Sequence, residues 1–312
     1  MSFSLSTLND YTNENKVPLI TKVHFGSKTA QLIPNKQSGI KYKEALNLLE
    51  TTINFQDGNS GCGWSANGTT TLSQRTIIVG SVLIQEALCP KTLNKKWTSH
   101  LLAQGNKDNE SIPFEAEFAT AKAEGISDEL EVAIWQGDTA ISGTSNYKYF
   151  DGFLKIVSGT TGYVTGNTGS YTAITSDNIL ALVDSEIDNI PSAILKRKDK
   201  VMFMGLENFR IYTKALVAAN YYHFNPSNMG AEQELFHPGT DVKVIGVPGL
   251  NDTDKIVTTY LGNLYHGFDL EGEEESFSIE YATEAKEVRF EAAFKYGVQI
   301  AWPSHVVYFT LA

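Results

Sequence analysis

The stretch Asp269–Ala312 constrains the fold more than any other, because apolar and polar side chains alternate along most of it. Phe277, Ile279 and Tyr281 fall on one face, Ser278 and Glu280 on the other. After a polar break at Thr283–Lys286, Val288, Phe290, Ala292 and Phe294 point one way and Glu287, Arg289 and Glu291 the other. Val298, Ile300 and Trp302 follow, and Pro303, which has no amide hydrogen for a ladder, ends the run. Period-two alternation marks half-buried strands. The apolar end Val306–Leu311 ties the terminus into a sheet. This end is therefore expected to close a sheet begun much earlier in the chain.

Upstream, the signals divide into an arm, a β excursion, a long helix and an α/β block. Residues 1–37 are polar with short apolar islands and no sustained period, which reads as an extended arm that is ordered by a neighbouring surface. Ala45–Phe55 reads as a strand or short helix. The Gly- and Asn-rich run Gln56–Gly68 then marks turns, and Thr69–Leu88, rich in Thr, Ile and Val, reads as a long exposed hairpin or ribbon. The spacing predicts a helix over 112–136. Ser111 caps it, Pro113 sits in its first turn, Phe114, Phe118, Ala121, Leu130 and Ile134 face inward, Gly125 marks a bend, and Gly137 stands at its C-terminal cap. Glu131 belongs to the charged outer face. Tyr149–Val157 reads as a short strand, followed by a Gly/Thr/Ser-rich surface loop to Ser170.

Residues 175–250 alternate helix and strand. Thr175 or Ser176 caps a helix carrying Ile179, Val183, Ile187 and Ile190. Pro191 opens a short helix that ends in Lys196-Arg197-Lys198. Val201–Met204 is a buried strand, Glu207–Asn220 an amphipathic helix with Phe209, Tyr212, Leu216 and Ala219 inward, and Val242–Val247 a strand turned by Pro248-Gly249. This is the pattern of a compact α/β subdomain between the long helix and the terminal strands.

Composition narrows the function. With 25 Lys plus Arg against 36 Asp plus Glu the formal charge is −11, which argues against a dedicated nucleic-acid binder, though not against a protein that encloses nucleic acid without gripping it. No apolar run is long enough to span a bilayer. Met1–Ser6 lacks a basic segment followed by an apolar core, so no signal peptide is expected. The two cysteines, Cys62 and Cys89, read as small semi-buried side chains, with a single bridge as the alternative. They fit a reducing cytoplasm.

No catalytic constellation emerges. His223, Glu232, Glu234 and His237 lie in one segment and carry metal-binding groups, but their spacing matches no motif. Glu273-Glu274-Glu275 lacks the alternating carboxylates and turn glycine of a calcium loop and reads as a solvated hairpin tip. Gly58–Gly63 has no following Lys-Ser/Thr and no helix after it, so it is not a phosphate loop. Gly-x-Ser-x-Gly, His-Glu-x-x-His, Cys-x-x-Cys and the dinucleotide-binding glycine pattern do not occur. No catalytic, cofactor-binding or metal residues are expected, no cofactor, and no enzyme activity.

Taken in order, the local phrases resemble one family. They are Leu8-Asn9-Asp10-Tyr11 with Glu14-Asn15; Thr71–Arg75 with Glu86–Cys89; Ile134–Asp138 followed by Asp151–Leu154; Val244–Leu250; Leu264–Asp269; and Phe294–Gln299. Together, over nearly the whole chain, they resemble the major capsid proteins of tailed bacteriophages, whose Johnson fold (Hong Kong ninety-seven type) also builds encapsulin shells. The resemblance implies an α+β fold with an N-terminal arm (1–37), an extended β-loop with its flanking strand (38–92), a peripheral domain with the long spine helix (93–151), an axial α/β domain (152–268) and the peripheral domain's terminal strands (269–312). It implies a structural subunit that assembles with itself into pentamers and hexamers of an icosahedral or prolate shell around double-stranded DNA. Contacts between capsomers would run through the arm and the extended loop, with a scaffolding protein, a portal and decoration proteins as partners and no membrane. Such a subunit is located in the virion and assembles in the bacterial cytoplasm.

Some members of the family crosslink a Lys to an Asn with help from a Glu. Lys41, Lys43 and Asn67 are of the right types, but no motif pairs them, and no crosslink is expected. Two other readings stand beside the capsid. One is an encapsulin-like nanocompartment with an enzyme cargo. The other is a monomeric β-rich carbohydrate-binding module that uses Trp64, Trp97 or exposed tyrosines.

Overall fold

The computed structural model describes residues 27–57, 67–88, 114–220, 233–269, 276–282, 284–285 and 287–312. In chain order the elements are α1 (Lys28–Leu32), β1 (Asn35–Gln37), β2 (Lys43–Thr52), β3 (Thr69–Ile78), β4 (Gly80–Leu88), α2 (Phe114–Gln136), α3 (Phe153–Gly159) and β5 (Val164–Thr165). There follow α4 (Ile179–Asp188), α5 (Ser192–Leu195), β6 (Lys200–Gly205), α6 (Leu206–Ala218), β7 (Glu234–Phe236), β8 (Lys243–Val247), β9 (Ile256–Tyr260) and β10 (Leu264–Phe268). The last are β11 (Ser276–Ala282), β12 (Glu287–Ile300) and β13 (Val307–Phe309). Of the sequence expectations, residues 1–26, Cys62, Trp64, Cys89, Trp97, Ser111, Pro113, His223, Glu232 and Glu273–Glu275 lie outside the described residues.

Strand β12 organises the first, five-stranded sheet. Tyr296 pairs with Phe268 of β10 and with Gly80 of β4, so those strands flank it on opposite sides. β11 pairs with residues 287–293, opposite β4, so β10 and β11 lie in line along one edge of β12. β1 adds in parallel to β10. The expected alternation is present: Val288, Phe290, Ala292, Phe294, Tyr296, Val298 and Ile300 are buried. The pairing with β4 closes a sheet begun much earlier, as the alternation predicts. β13, however, leaves this sheet. After a 3-10 turn at Pro303–His305 it joins the six-stranded sheet, whose order is β5-β13-β9-β6-β8-β7.

The helix α2 forms where predicted and runs through Gly125 as one element. Its buried face is Ala119, Ala123, Ile126, Leu130, Ala133, Ile134 and Trp135, whereas Ala121 is exposed. Glu131 is buried rather than part of the outer face. The side chain of Trp135 is the hub of the main core, with the rings of Phe153 and Phe203 centred 5.3 and 5.1 Å away. Each large apolar side chain buried this way contributes about 1.5–3 kcal/mol. The smaller second core joins α4 and α6 to the six-stranded sheet through Leu182, Val183, Met202, Met204, Tyr212 and Leu216.

Several expectations are corrected. Tyr149–Val157 is not a strand: Phe153–Gly159 is helical, because Phe153, Leu154 and Val157 bury one helical face that a strand would split between two. In α6 it is Ala215, not Ala219, that packs inward. Asn178 rather than Thr175 or Ser176 occupies the cap position of α4, and α5 ends at Leu195, with Arg197 turned onto Asp199 at 2.9 Å. Gly137 follows α2 as expected, but not in the left-handed region. Its smallness admits the backbone of Gly152, whose amide donates to the Gly137 carbonyl at 2.8 Å.

The ribbon is also wired differently. β3 does not fold back on β4; it pairs antiparallel with β2, from Lys43↔Ile78 to Thr52↔Thr69. β4 departs for the first sheet at Gly80, where a β-carbon would stand 1.9 Å from the Tyr149 carbonyl oxygen. Only glycine lets the strand pass that point.

Candidate assembly surface

The ribbon β2–β3 presents two faces, since alternate residues point to opposite sides. One face carries Glu44, Leu46, Leu48 and Glu50 with Ile77, Arg75 and Ser73, and it rests on the chain's own body. Leu46, Leu48 and Ile77 are buried, with Ile40 and Val79 completing a small root core. Arg75 Nη2 donates to Thr160 Oγ1 at 3.3 Å, and Glu50 lies close enough to His305 to act on its charge. At the root, Gln299 Nε2 donates to the Thr76 carbonyl at 2.6 Å.

The other face carries no ionisable side chain between Ala45 and Thr51 or between Thr70 and Thr76. Leu49 and Leu72 oppose each other there and are 62% and 75% exposed. Gln74 Nε2 donates to Asn47 Oδ1 at 2.8 Å beside them. Beyond β2, Ile53 and Phe55 are exposed as well. A two-stranded ribbon is marginal in water, and an exposed cross-strand leucine pair gains nothing from solvent.

A second surface lies between α2 and β4. It is a cleft of about 370 Å³ lined by Val82, Ile84, Ile126, Phe290 and Phe294, with the Lys122–Glu86 ion pair at its side. Gly125 borders it, and a β-carbon there would meet nothing within 4 Å. Leu83 stands exposed on the same strand.

Buried polar groups fix the frame that carries these surfaces. Glu131 accepts from the Thr29 amide at 2.9 Å and the Thr29 hydroxyl at 2.5 Å, while Trp135 Nε1 donates to that hydroxyl at 2.7 Å. Burial pushes the Glu131 carboxyl up, and the Thr29 bonds pull it back. The result locks α1 onto the long helix. On the other sheet, His237 Nε2 donates to Asp184 Oδ1 at 2.9 Å and its Nδ1 meets the Tyr212 hydroxyl at 2.8 Å. Burial holds His237 below the ordinary histidine range, against the pull of Asp184. Asp269 is buried between Lys41 and Lys295, each at 3.4 Å.

Of the residues singled out for chemistry, Glu234 pairs with Lys243 and His237 with Asp184, so the described half of that segment serves packing. Among the described residues no three His, Cys, Asp or Glu side chains are grouped to hold a metal. No helix among them is long and apolar enough to cross a membrane. Lys41 is engaged with Asp269, and the Asn67 main-chain carbonyl accepts from Asn54 Nδ2. Glu131 and the Asp184–His237–Tyr212 chain were not legible as sites: their partners are remote in sequence, and no motif marks them.

No protein-family model matches the chain, and no curated protein matches it in sequence. Solved structures do. A chain of the satellite phage P4 procapsid, a structure that includes the size-determination protein Sid, has 14% identity and a TM-score of 0.63 over 95% of this chain and 91% of that one. The capsid of Myoviridae phage XM1 has 13% identity and a TM-score of 0.55 over 90% and 89%. A virus-like particle from Pyrococcus furiosus has 11% identity and a TM-score of 0.52 over 99% and 100%. The chain has the α+β fold of phage capsid subunits.

Proposed function

We propose that this chain is a structural shell subunit, copies of which assemble into pentamers and hexamers of an icosahedral or prolate capsid around double-stranded DNA. The observation that carries the reading is the ribbon face with the exposed pair Leu49 and Leu72, an uncharged surface that the chain's own body leaves open, on a chain with a capsid-subunit fold. Large complementary surfaces on several sides, not one deep polar site, are what a closed shell needs. In this reading 1–37 is the arm, 38–92 the extended loop, 93–151 with 269–312 the peripheral domain and 152–268 the axial domain. The role is structural, not catalytic. Scaffolding, portal and decoration proteins are the further partners, and the assembled protein resides in the virion after assembly in the bacterial cytoplasm. The acidic excess suits a wall along which packed DNA slides.

Size-exclusion chromatography with negative-stain microscopy tests this, with and without a candidate scaffolding protein from the same genome. Rings of five or six, or closed shells, support it. A chain that stays monomeric with the scaffold supplied, yet binds a glycan or a metal, would overturn it.

A further inference from the structure

Away from the assembly surfaces, the helix α4 sits on the corner of the six-stranded sheet formed by β5, β13 and β9. Glu186 points into that corner and is fully buried. Its Oε1 accepts from Thr258 Oγ1 of β9 at 2.9 Å, and its Oε2 has no hydrogen-bond partner among the described residues. A β-carbon on Gly166, just after β5, would stand 3.3 Å from the Glu186 carboxyl carbon and 3.2 Å from Phe309 of β13. The carboxyl is thus enclosed beside Gly166 and Phe309, at the edge of the second core, with one hydroxyl for company.

We propose that Glu186 is the uncharged acid in the closed fold and that its ionisation releases α4 from the β5–β13–β9 corner, an alkali-sensitive latch built into this subdomain. In the neutral acid Oε1 is the carbonyl oxygen that accepts from Thr258, and Oε2 carries the proton. Ionisation gives that proton to water or hydroxide and leaves a full charge in an apolar corner. A buried carboxylate is tolerated when a cation or several donors answer it; among the described residues Glu186 has the one donor, Thr258. From α4 itself, Asp184 and Asp188 are exposed, and Asp184 is taken up by His237. α6 offers Tyr212, also bound to His237; β9 offers Thr258 and, two residues on, Tyr260, whose hydroxyl meets His305; β13 has Val307 and Phe309 in this core, while its Tyr308 packs in the main core against Tyr163. Burial accordingly pushes the Glu186 carboxyl up to about 8, opposed only by the Thr258 hydroxyl.

The direction is set by linkage. The closed state holds the proton more tightly than the open one, so the latch is fully shut below the ordinary glutamate range and is lost as pH rises toward about 8. This inference does not depend on the shell reading.

Amide exchange of the full-length chain tests it, with protection factors corrected for the intrinsic pH dependence. Protection in α4 should fall about tenfold per pH unit between about pH 5 and pH 8 and level off above, while β12 keeps its protection. In Glu186→Gln the fall toward alkali should be absent, so that the α4 values are flat from about pH 7 to pH 8 and only the opposite, His237-linked change is left at lower pH. His237 loses its proton below the ordinary histidine range, so its effect is confined to the acid end and persists in Glu186→Gln. Carbon-13 titration of the glutamate carboxyls supplies a second readout: the signal that Glu186→Gln removes, and not that of Glu131, should titrate near 8. If that signal titrates below about pH 5.5, or if it titrates near 8 with α4 protection unchanged, the latch is refuted.

Discussion

The amide of Gly152 donates to the carbonyl of Gly137 at 2.8 Å, so the loop leaving α2 and the turn entering α3 touch backbone to backbone. A β-carbon on Gly152 would lie 2.7 Å from the Gly137 nitrogen and from the Trp135 carbonyl, and 2.8 Å from the Ala133 carbonyl. None of these is a side chain that can swing away. Gly152→Ala should therefore force α3 off α2 and cost about 1–3 kcal/mol, read by urea denaturation. Gly143→Ser, on an exposed loop beyond any neighbour, loses only the ease of a positive φ and should cost less.

Thr29→Val removes the hydroxyl that donates to Glu131 and accepts from Trp135. Shape is kept, so the loss reports stranded polar groups, about 1–3 kcal/mol each. Indole fluorescence should shift as Trp135 loses its acceptor, and unfolding midpoints should fall. A variant as stable as wild type would mean that α1 is held without this hydroxyl, by the residue 29 amide on Glu131 and by Ala30 and Ile33.

Leu72→Asp and Leu49→Asp place a charge on the open ribbon face. Because both side chains are largely exposed, the isolated chain should keep its stability within about 0.5 kcal/mol. Assembly should fail, because each copy would bury an unpaired carboxylate at every repeat of the interface. Electron microscopy of particle yield beside a melt of the monomer separates the two effects.

His237 is held below its ordinary range mainly by burial. Its contribution is present above the ordinary histidine value of about 6.5 and is lost as pH falls through the lowered one. Protonation also turns Nδ1 into a donor and takes away the acceptor of the Tyr212 hydroxyl. Between about pH 7 and pH 5 the wild type should therefore lose more melting temperature than His237→Gln. Equal losses would remove His237 from the acid response.

Long periodic segments were legible because their own residues decide the burial. The alternation from Val288 to Ile300 survives in the fold with the predicted face inward; of the helix face, Leu130 and Ile134 are buried, Phe118 is partly buried and Ala121 is exposed. The expectations that failed depended on partners that sequence distance hides. Thr69–Leu88 reads as one exposed hairpin or ribbon, because strands near in sequence usually pair. A clash-free pass beneath Tyr149 at Gly80 sends that second strand elsewhere. Phe153-Leu154 with Val157 fits a strand or a helix equally until Gly152 fixes where the helix starts. Glu131 looks like any outer-face glutamate in a helix, since Thr29 lies 102 residues away. The proposed assembly surface is legible only as an oddity: leucines where a solvated ribbon would carry charge.

The fourteen residues of β12 extend about 48 Å at the usual rise per strand residue, and they are gripped by β4 on one side and by β10 and β11 on the other. Tension along this axis loads those ladders sideways, many bonds at once, whereas a pull at right angles opens them one after another. The molecule therefore has a stiff direction and a compliant one. Internal pressure on a closed wall stretches it tangentially, so a subunit set with β12 in the plane of the wall meets that strain along its strongest line.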